Sequence, residues 1–177
     1  ETGQDVVLRE AETPGWGASG RNGGQVNPGL KANPEETEAR FGEDLGKRMV
    51  ALSGGAGKLV FDLIAKHNIQ CDANPCGWIR SATNAKTLRD LQIIGRQWRA
   101  RDHAVDDMDA DEMAHLLGYD GYVGGVIDRR GGNIHPLNFA LGLAAAAERA
   151  GARIHGNSRV TSVDHPPDQV TITTAQG

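Results

Sequence analysis

The sequence predicts an α/β chain, and three observations carry the prediction. A short, mostly apolar run, Asp5-Val6-Val7-Leu8-Arg9-Glu10, leads straight into a glycine-rich loop. Segments with apolar residues at helical spacing then alternate with short strand-like runs. The chain closes on strand-like segments, with Gln169-Val170-Thr171-Ile172-Thr173-Thr174 alternating at the strand period.

Element by element, Glu1-Thr2-Gly3 reads as a helix tail with its stop glycine, and Asp5–Glu10 as a strand. Residues 15–33 show little periodicity. Asn33-Pro34-Glu35-Glu36 is a helix start, with a capping Asn, Pro at the first helical position and an acid at the third. Phe41, Leu45, Met49, Leu52, Leu59 or Val60, and Leu63 continue that helical stripe, while Gly54, Gly55 and Gly57 should weaken or bend it. Ile69–Cys71 and Gly77–Ala82 read as two strands joined by an Ala73-Asn74-Pro75 turn. Thr83–Arg101 is an amphipathic helix through Leu88, Leu91, Ile94 and Trp98. Asp109-Ala110-Asp111-Glu112 caps a short helix that stops at Gly118. Tyr122–Asp128 is strand-like, and His135-Pro136 opens an alanine-rich helix ending at Gly151. Ala152–His155 and Arg159–Val163 read as strands, Pro166-Pro167-Asp168 as a turn, and Ala175-Gln176-Gly177 as a turn with no partner strand. A helix tail at one end and an unpaired strand at the other lead us to expect a piece of a longer protein.

Composition narrows the function classes. The 177 residues carry 19 Lys plus Arg against 23 Asp plus Glu, a net charge of −4, with pI near 5.8 and mean hydropathy −0.45. A nucleic-acid or anionic-membrane surface leans basic, so neither is an expected partner. No run approaches the roughly 18 apolar residues of a membrane span, and no basic-then-apolar leader opens the sequence. Two cysteines, Cys71 and Cys76, are too few for a disulfide scaffold, which makes a reducing cytoplasm the default location.

Chemistry concentrates where the first strand meets the glycines. In a dinucleotide-binding βαβ unit, an acid at the end of the second strand accepts hydrogen bonds from the ribose hydroxyls of the adenosine. Glu10 stands at such a strand end. Beyond it, Gly15-Trp16-Gly17-Ala18-Ser19-Gly20-Arg21-Asn22-Gly23-Gly24-Gln25 offers many unobstructed backbone N–H groups, able to approach a pyrophosphate or a flavin edge closely. Arg21 and Asn22 could add side-chain donors. The same residues also suit a surface loop with an incidental acid, because the G-x-G-x-x-G turn that normally precedes such a strand is absent.

Together, Leu8-Arg9-Glu10-Ala11 and residues 15–25 closely resemble FAD-dependent oxidoreductases of the D-amino-acid-oxidase type, most of all the γ-glutamylputrescine oxidase-like branch. A second stretch agrees: Gly131-Gly132-Asn133-Ile134-His135-Pro136-Leu137-Asn138, then Gly142-Leu143, Glu148–Ile154 and Arg159-Val160-Thr161. The resemblance implies that Glu10 binds ribose. It implies that Ser19, Arg21, Asn22, Gly23, Gly24 and Gln25 run along the pyrophosphate and flavin ring, and that the Val160 backbone pairs with the adenine edge. It also implies the fold, α/β with a partial FAD-binding Rossmann-like domain at 1–33 and 130–177 and a partial α+β substrate domain inserted at 34–129. No residue matches a flavin-tethering His or Cys, so the expected cofactor is non-covalent FAD.

By the same resemblance, the intact enzyme oxidises the C–N bond of an amine or amino acid to an imine, with dioxygen reoxidising the flavin to give peroxide. Desolvation can hold the amine neutral before hydride departs, so no catalytic residue is named. Two alternatives remain: a flavin enzyme for hydroxy acids, and a non-catalytic, incomplete piece that holds one side of the cofactor at most.

Other motifs read more plainly. His135 is expected to cap its helix rather than catalyse. Ser53-Gly54-Gly55-Ala56-Gly57-Lys58 lacks the framing residues of a phosphate loop and sits in a helical pattern. Cys71 and Cys76 have no second ligand pair for zinc and are expected to be buried small residues. His67, His103, His115, His155 and His165 show no ligand spacing. The acids at 106–112 are expected to solvate a helix N-terminus, and no metal site is expected.

Overall fold

The computed structural model describes residues 3–165, 167 and 169–175. Glu1 and Thr2 of the expected helix tail, Pro166 and Asp168 of the expected turn, and Gln176 and Gly177 lie outside them.

In chain order, β1 (Val7–Arg9) precedes a loop with one 3-10 turn (Ala18–Gly20) and β2 (Gln25–Val26). Helix α1 (Pro34–Phe41) starts where the Asn33 side chain accepts the Glu36 N–H at 2.8 Å. It stops at Gly42, whose φ of 81° a side chain would strain. Helix α2 (Glu43–His67) follows at once. Next come β3 (Trp78–Ala82), α3 (Ala85–Arg99), β4 (Val105–Met108) and α4 (Ala110–Leu117). The chain continues through β5 (Gly124–Asp128), β6 (Gly132–Asn133), α5 (Pro136–Arg149), β7 (Arg153–His155), β8 (Val160–Asp164) and β9 (Thr171–Thr174).

The chain divides into two compact units, one of residues 1–24, 64–72 and 135–177, the other of residues 25–63 and 73–134. In the first, β1 and β7 pair in parallel with Leu8 opposite Ile154. The alanine-rich α5 leads back into β7 through Gly151, at φ 96°. Strands β8 and β9 form a separate antiparallel ribbon. In the second unit, β5 lies between β3 and β4, antiparallel to both. All five residues of β5 are buried. Helix α3 supplies Leu91 and Trp98 to a core shared with Val50, Ala82, Val105 and Val126. Met113 of α4 is fully buried and lies flush against Gly125 of β5, where an added Cβ would stand 3.1 Å from its sulfur. This is a mixed α/β architecture, with a parallel Rossmann-like pairing and an inserted antiparallel sheet.

Several elements differ from the sequence reading, each for a packing reason. The long helical pattern breaks at Gly42, not at Gly54–Gly57, and α2 runs unbroken through all three glycines. Gly54 and Gly57 are buried. A Cβ on Gly54 would come 2.7 Å from His103 Nε2, and one on Gly57 would come 2.6 Å from the Arg130 carbonyl. Close approach of neighbours therefore offsets the roughly 1 kcal/mol of helix propensity each glycine forfeits. Ile69–Cys71 forms no strand. Ile69 instead packs into the space left by Gly142 of α5, and the Cys71 carbonyl accepts the His135 N–H at 2.6 Å. Asp106 and Asp107 belong to β4 and form ion pairs with Arg129 and Arg99, so the capping of α4 falls to Asp109 and Glu112. Cys71 is buried as expected, but Cys76 is exposed.

Candidate functional site: a strand-end carboxylate and a glycine loop

The first unit places Glu10 immediately after the last paired residue of β1. Its N–H donates to the His155 carbonyl at 2.9 Å, so the β1 and β7 chains end together. Beyond that end the two loops are tied to each other. The Glu10 carbonyl accepts the Ser158 N–H at 2.8 Å, and the Glu12 carbonyl accepts the Asn157 N–H at 2.6 Å. Arg159 pairs with the Glu12 carboxylate at 3.1 Å. Gly156 makes the approach possible, since a Cβ there would stand 2.8 Å from the Glu12 carbonyl. Two residues beyond Ser158, β8 begins at Val160, which lies opposite Thr174 and is 41% exposed. The structure thus joins Glu10 and the approach to Val160 through backbone bonds.

The Glu10 side chain is half-buried. Its Oε1 accepts the Glu12 N–H at 3.1 Å, and among the described residues Oε2 has no protein partner. A carboxylate held by one oxygen, with the other open at the carboxyl end of a parallel strand pair, suits a diol. Ligands of open parallel sheets sit outside those strand ends.

The loop after Glu10 is organised by its own side chains. Asn22 donates through Nδ2 to the Ala18 and Ser19 carbonyls, each at 3.0 Å, and accepts the Gly24 N–H at 2.8 Å. Asn22 is therefore spent on loop shape, not offered as a free donor. Gly24 takes φ 70°, a conformation that favours glycine. A Cβ on Gly23 would meet no atom within 4 Å. The Arg21 guanidinium lies 4.4 Å over the Trp16 ring and has no carboxylate partner among the described residues. A cavity of about 300 Å³ opens beside it, lined by Thr13, Pro14, Trp16, Arg21, Leu137 and Leu141. Ser19 is exposed on the 3-10 turn. Gln25 falls in the second unit, on β2 opposite Asn133.

No local sequence pattern signals Trp16 beneath Arg21, nor Glu12 holding Arg159, because both contacts depend on how the loops fold back. His135 caps α5 as expected, its Nδ1 accepting the Asn138 N–H at 3.2 Å. Burial, and to a lesser degree Asp72, raises the Cys71 thiol above its ordinary range, which leaves it protonated and inert. The 53–58 segment is helical throughout, as its lack of loop framing implied. Among the described residues no cluster of His, Cys, Asp and Glu could hold a metal ion, and no helix is long and apolar enough to cross a membrane.

The family model described as FAD dependent oxidoreductase matches residues 1–177. The chain belongs to that family. It is 34% identical over 178 residues to the gamma-glutamylputrescine oxidoreductase of Escherichia coli strain K12, covering 100% of this chain and 41% of that protein. It is 32% identical over 179 residues to a probable oxidoreductase, OrdL, of Haemophilus influenzae, covering 99% of this chain and 41% of the relative. The chain thus spans about two fifths of the length of these curated relatives. The fold matches glycine oxidase from Geobacillus kaustophilus with a TM-score of 0.75 at 21% identity, over 98% of this chain and 45% of that one. An L-amino acid deaminase from Proteus vulgaris matches with a TM-score of 0.77 at 15% identity, over 99% of this chain and 39% of the other.

Family membership makes FAD the cofactor. The residues present fit it: a carboxylate oxygen at a parallel strand end with no partner among the described residues, a glycine facing open space and, again among the described residues, an Arg without a carboxylate partner.

Proposed function

We propose that this chain forms part of a flavoenzyme of the γ-glutamylputrescine oxidase-like branch. It binds FAD non-covalently and oxidises the C–N bond of an amine or amino acid. Glu10 accepts the ribose hydroxyls. Ser19, Arg21, Gly23 and Gly24 border the pyrophosphate and flavin with backbone N–H groups and one cation, while Asn22 holds that loop in shape. Val160 presents backbone to the adenine, and Gln25 borders the flavin from its own strand. We assign residues 1–33 and 130–177 to a partial FAD-binding domain and residues 34–129 to a partial substrate domain. The free cysteines support a cytoplasmic protein.

Bound FAD supplies the hydride acceptor that the side chains lack. The substrate carbon loses a hydride and its nitrogen a proton, giving an imine that water converts to a carbonyl compound and ammonia or an amine. Dioxygen would take up the two electrons as hydrogen peroxide. No side chain of this chain is needed as base where desolvation keeps the amine neutral. The observation that carries this reading is the Glu10 carboxylate, fixed through Oε1 and the Ser158 tie with Oε2 open.

A hydroxy-acid substrate is the second reading. The dinucleotide-binding motifs do not read the substrate, and fold alone does not choose one. Product analysis on the intact protein separates the two. Amine-dependent peroxide with ammonia or an aldehyde supports C–N oxidation, whereas peroxide only with hydroxy acids, without a nitrogenous product, contradicts it.

A further inference from the structure

The second unit holds a buried cationic cluster that the proposed chemistry does not use. Arg130, in the turn between β5 and β6, donates through Nε at 2.8 Å to Asp128 Oδ1 and through Nη2 to Oδ2. Its N–H donates to the same carboxylate at 3.1 Å. Both side chains are nearly closed to solvent, at 11% for Arg130 and 7% for Asp128. The guanidinium also lies 4.3 Å over the Trp98 ring, and Nη1 donates to the Gly54 carbonyl of α2 at 3.2 Å. Trp98 in turn meets His103 edge to face at 5.3 Å. One residue is therefore pinned at once to β5, α2 and α3.

A plain structural ion pair does not account for the glycines around it. Gly54 and Gly57 lie one helical turn apart on α2, on one face. A Cβ on Gly54 would crowd Arg130 Nη1 at 3.2 Å, and one on Gly57 would stand 2.6 Å from the Arg130 carbonyl and 3.7 Å from Val26 Cγ1. On the other side, a Cβ on Gly131 would stand 2.9 Å from the Val26 carbonyl. The chain runs from Arg130 directly into β6, where Gly132 and Asn133 sit opposite Val26 and Gln25. The seat of Arg130 on α2 thus sets where the β2–β6 ribbon lies.

We propose that Arg130 is a positioning residue for Gln25. Clamped by Asp128, Trp98 and the Gly54 carbonyl, it fixes the height of the β2–β6 ribbon on the glycine face of α2. The inference rests on the reading that Gln25 borders the FAD. It adds that the buried cluster sets where that strand lies on the glycine face of α2. Displacements of about 1 Å at residues remote from the chemistry can cost on the order of a hundredfold in rate.

The test uses the intact holoprotein with Arg130→Met, Arg130→Lys and Gly57→Ala, and Gly55→Ala as control because its Cβ would meet nothing within 4 Å. Gly57→Ala keeps the ion pair and pushes only on the Arg130 backbone, so it decides the matter if Arg130→Met does not fold. FAD content, the visible flavin spectrum, kcat, KM and Tm are measured. The expected result is retained FAD with a shifted flavin spectrum and a kcat lowered on the order of ten- to a hundredfold in Gly57→Ala and each folded Arg130 variant, with Gly55→Ala like the parent. A merely structural role lowers Tm alone, so parental spectrum and kcat in Gly57→Ala and every folded Arg130 variant overturn the proposal. A parent protein that carries no FAD instead overturns the FAD reading, and is seen before any variant is made.

Discussion

The Glu10 N–H and the His155 carbonyl meet at 2.9 Å, so two strands almost 150 residues apart in sequence end side by side. That bond turns a sequence position into a site. It places the Glu10 carboxylate at the carboxyl end of a parallel pair, where open sheets bind ligands, and Ser158 then closes on the Glu10 carbonyl to hold it there.

Replacing Glu10 separates its two duties. Glu10→Gln keeps an acceptor for the Glu12 N–H but removes the charge, whereas Glu10→Ala removes both. In the intact protein each should lose about 1.5–3 kcal/mol of FAD affinity, a Kd roughly ten- to a hundredfold weaker, with Gln the milder. Fluorescence titration of the stripped protein reads the Kd, and parental affinity in Glu10→Ala removes Glu10 from the site.

Two loop glycines should behave oppositely. A Cβ on Gly20 would stand 2.0 Å from the Gly15 carbonyl and 2.9 Å from Leu137 Cδ1. Gly20→Ala should therefore destabilise the FAD-free protein by about 1–3 kcal/mol, measured by denaturant titration. Gly23→Val starts from a Cβ that would meet no atom within 4 Å. It should leave FAD-free stability unchanged yet impair FAD binding if, as proposed, the cofactor borders Gly23. Equal FAD affinity in Gly23→Val and parent contradicts that placement.

His103 gives a pH dependence with a definite sign. Burial is the main cause that lowers its pKa below the ordinary 6.5, with Arg130 adding to it and Asp128 and Asp102 opposing. The unfolded chain therefore binds the proton more readily than the folded one. Stability linked to His103 is fully present above about 6.5 and is lost as pH falls through the folded value. Tm should fall between about pH 7 and pH 5, and His103→Gln should flatten that fall. An identical slope in the variant shows that other groups govern it.

Much of this was legible in the sequence because local chemistry decides it. The caps at Asn33, Asp109 and His135 are observed, with Asp109 and Glu112 closing a reciprocal capping box. Asp109→Ala should accordingly cost about 1 kcal/mol in a urea titration, and a loss under a few tenths would show that the box adds nothing. What stayed hidden depends on tertiary contacts. Strand β4 reads as an acidic surface run until Arg99 and Arg129 neutralise it. The unbroken α2 looks glycine-weakened until Trp98, His103 and Arg130 fill the space that its glycines leave. Within the site, Glu10 and the loop glycines carry a sequence signal, whereas the Trp16–Arg21 stack exists only once residues 13–20 have turned on themselves.

In the proposed function, the FAD takes its electrons from a C–N bond. Anaerobic mixing of the intact holoprotein with a panel of amines, amino acids and 2-hydroxy acids, followed by visible absorbance, tests it most directly. At least one amine or amino acid should bleach the flavin, and air should restore the colour with about one peroxide per flavin, the two-electron stoichiometry of the cofactor. Bleaching by hydroxy acids alone, with every amine and amino acid inert, would contradict it.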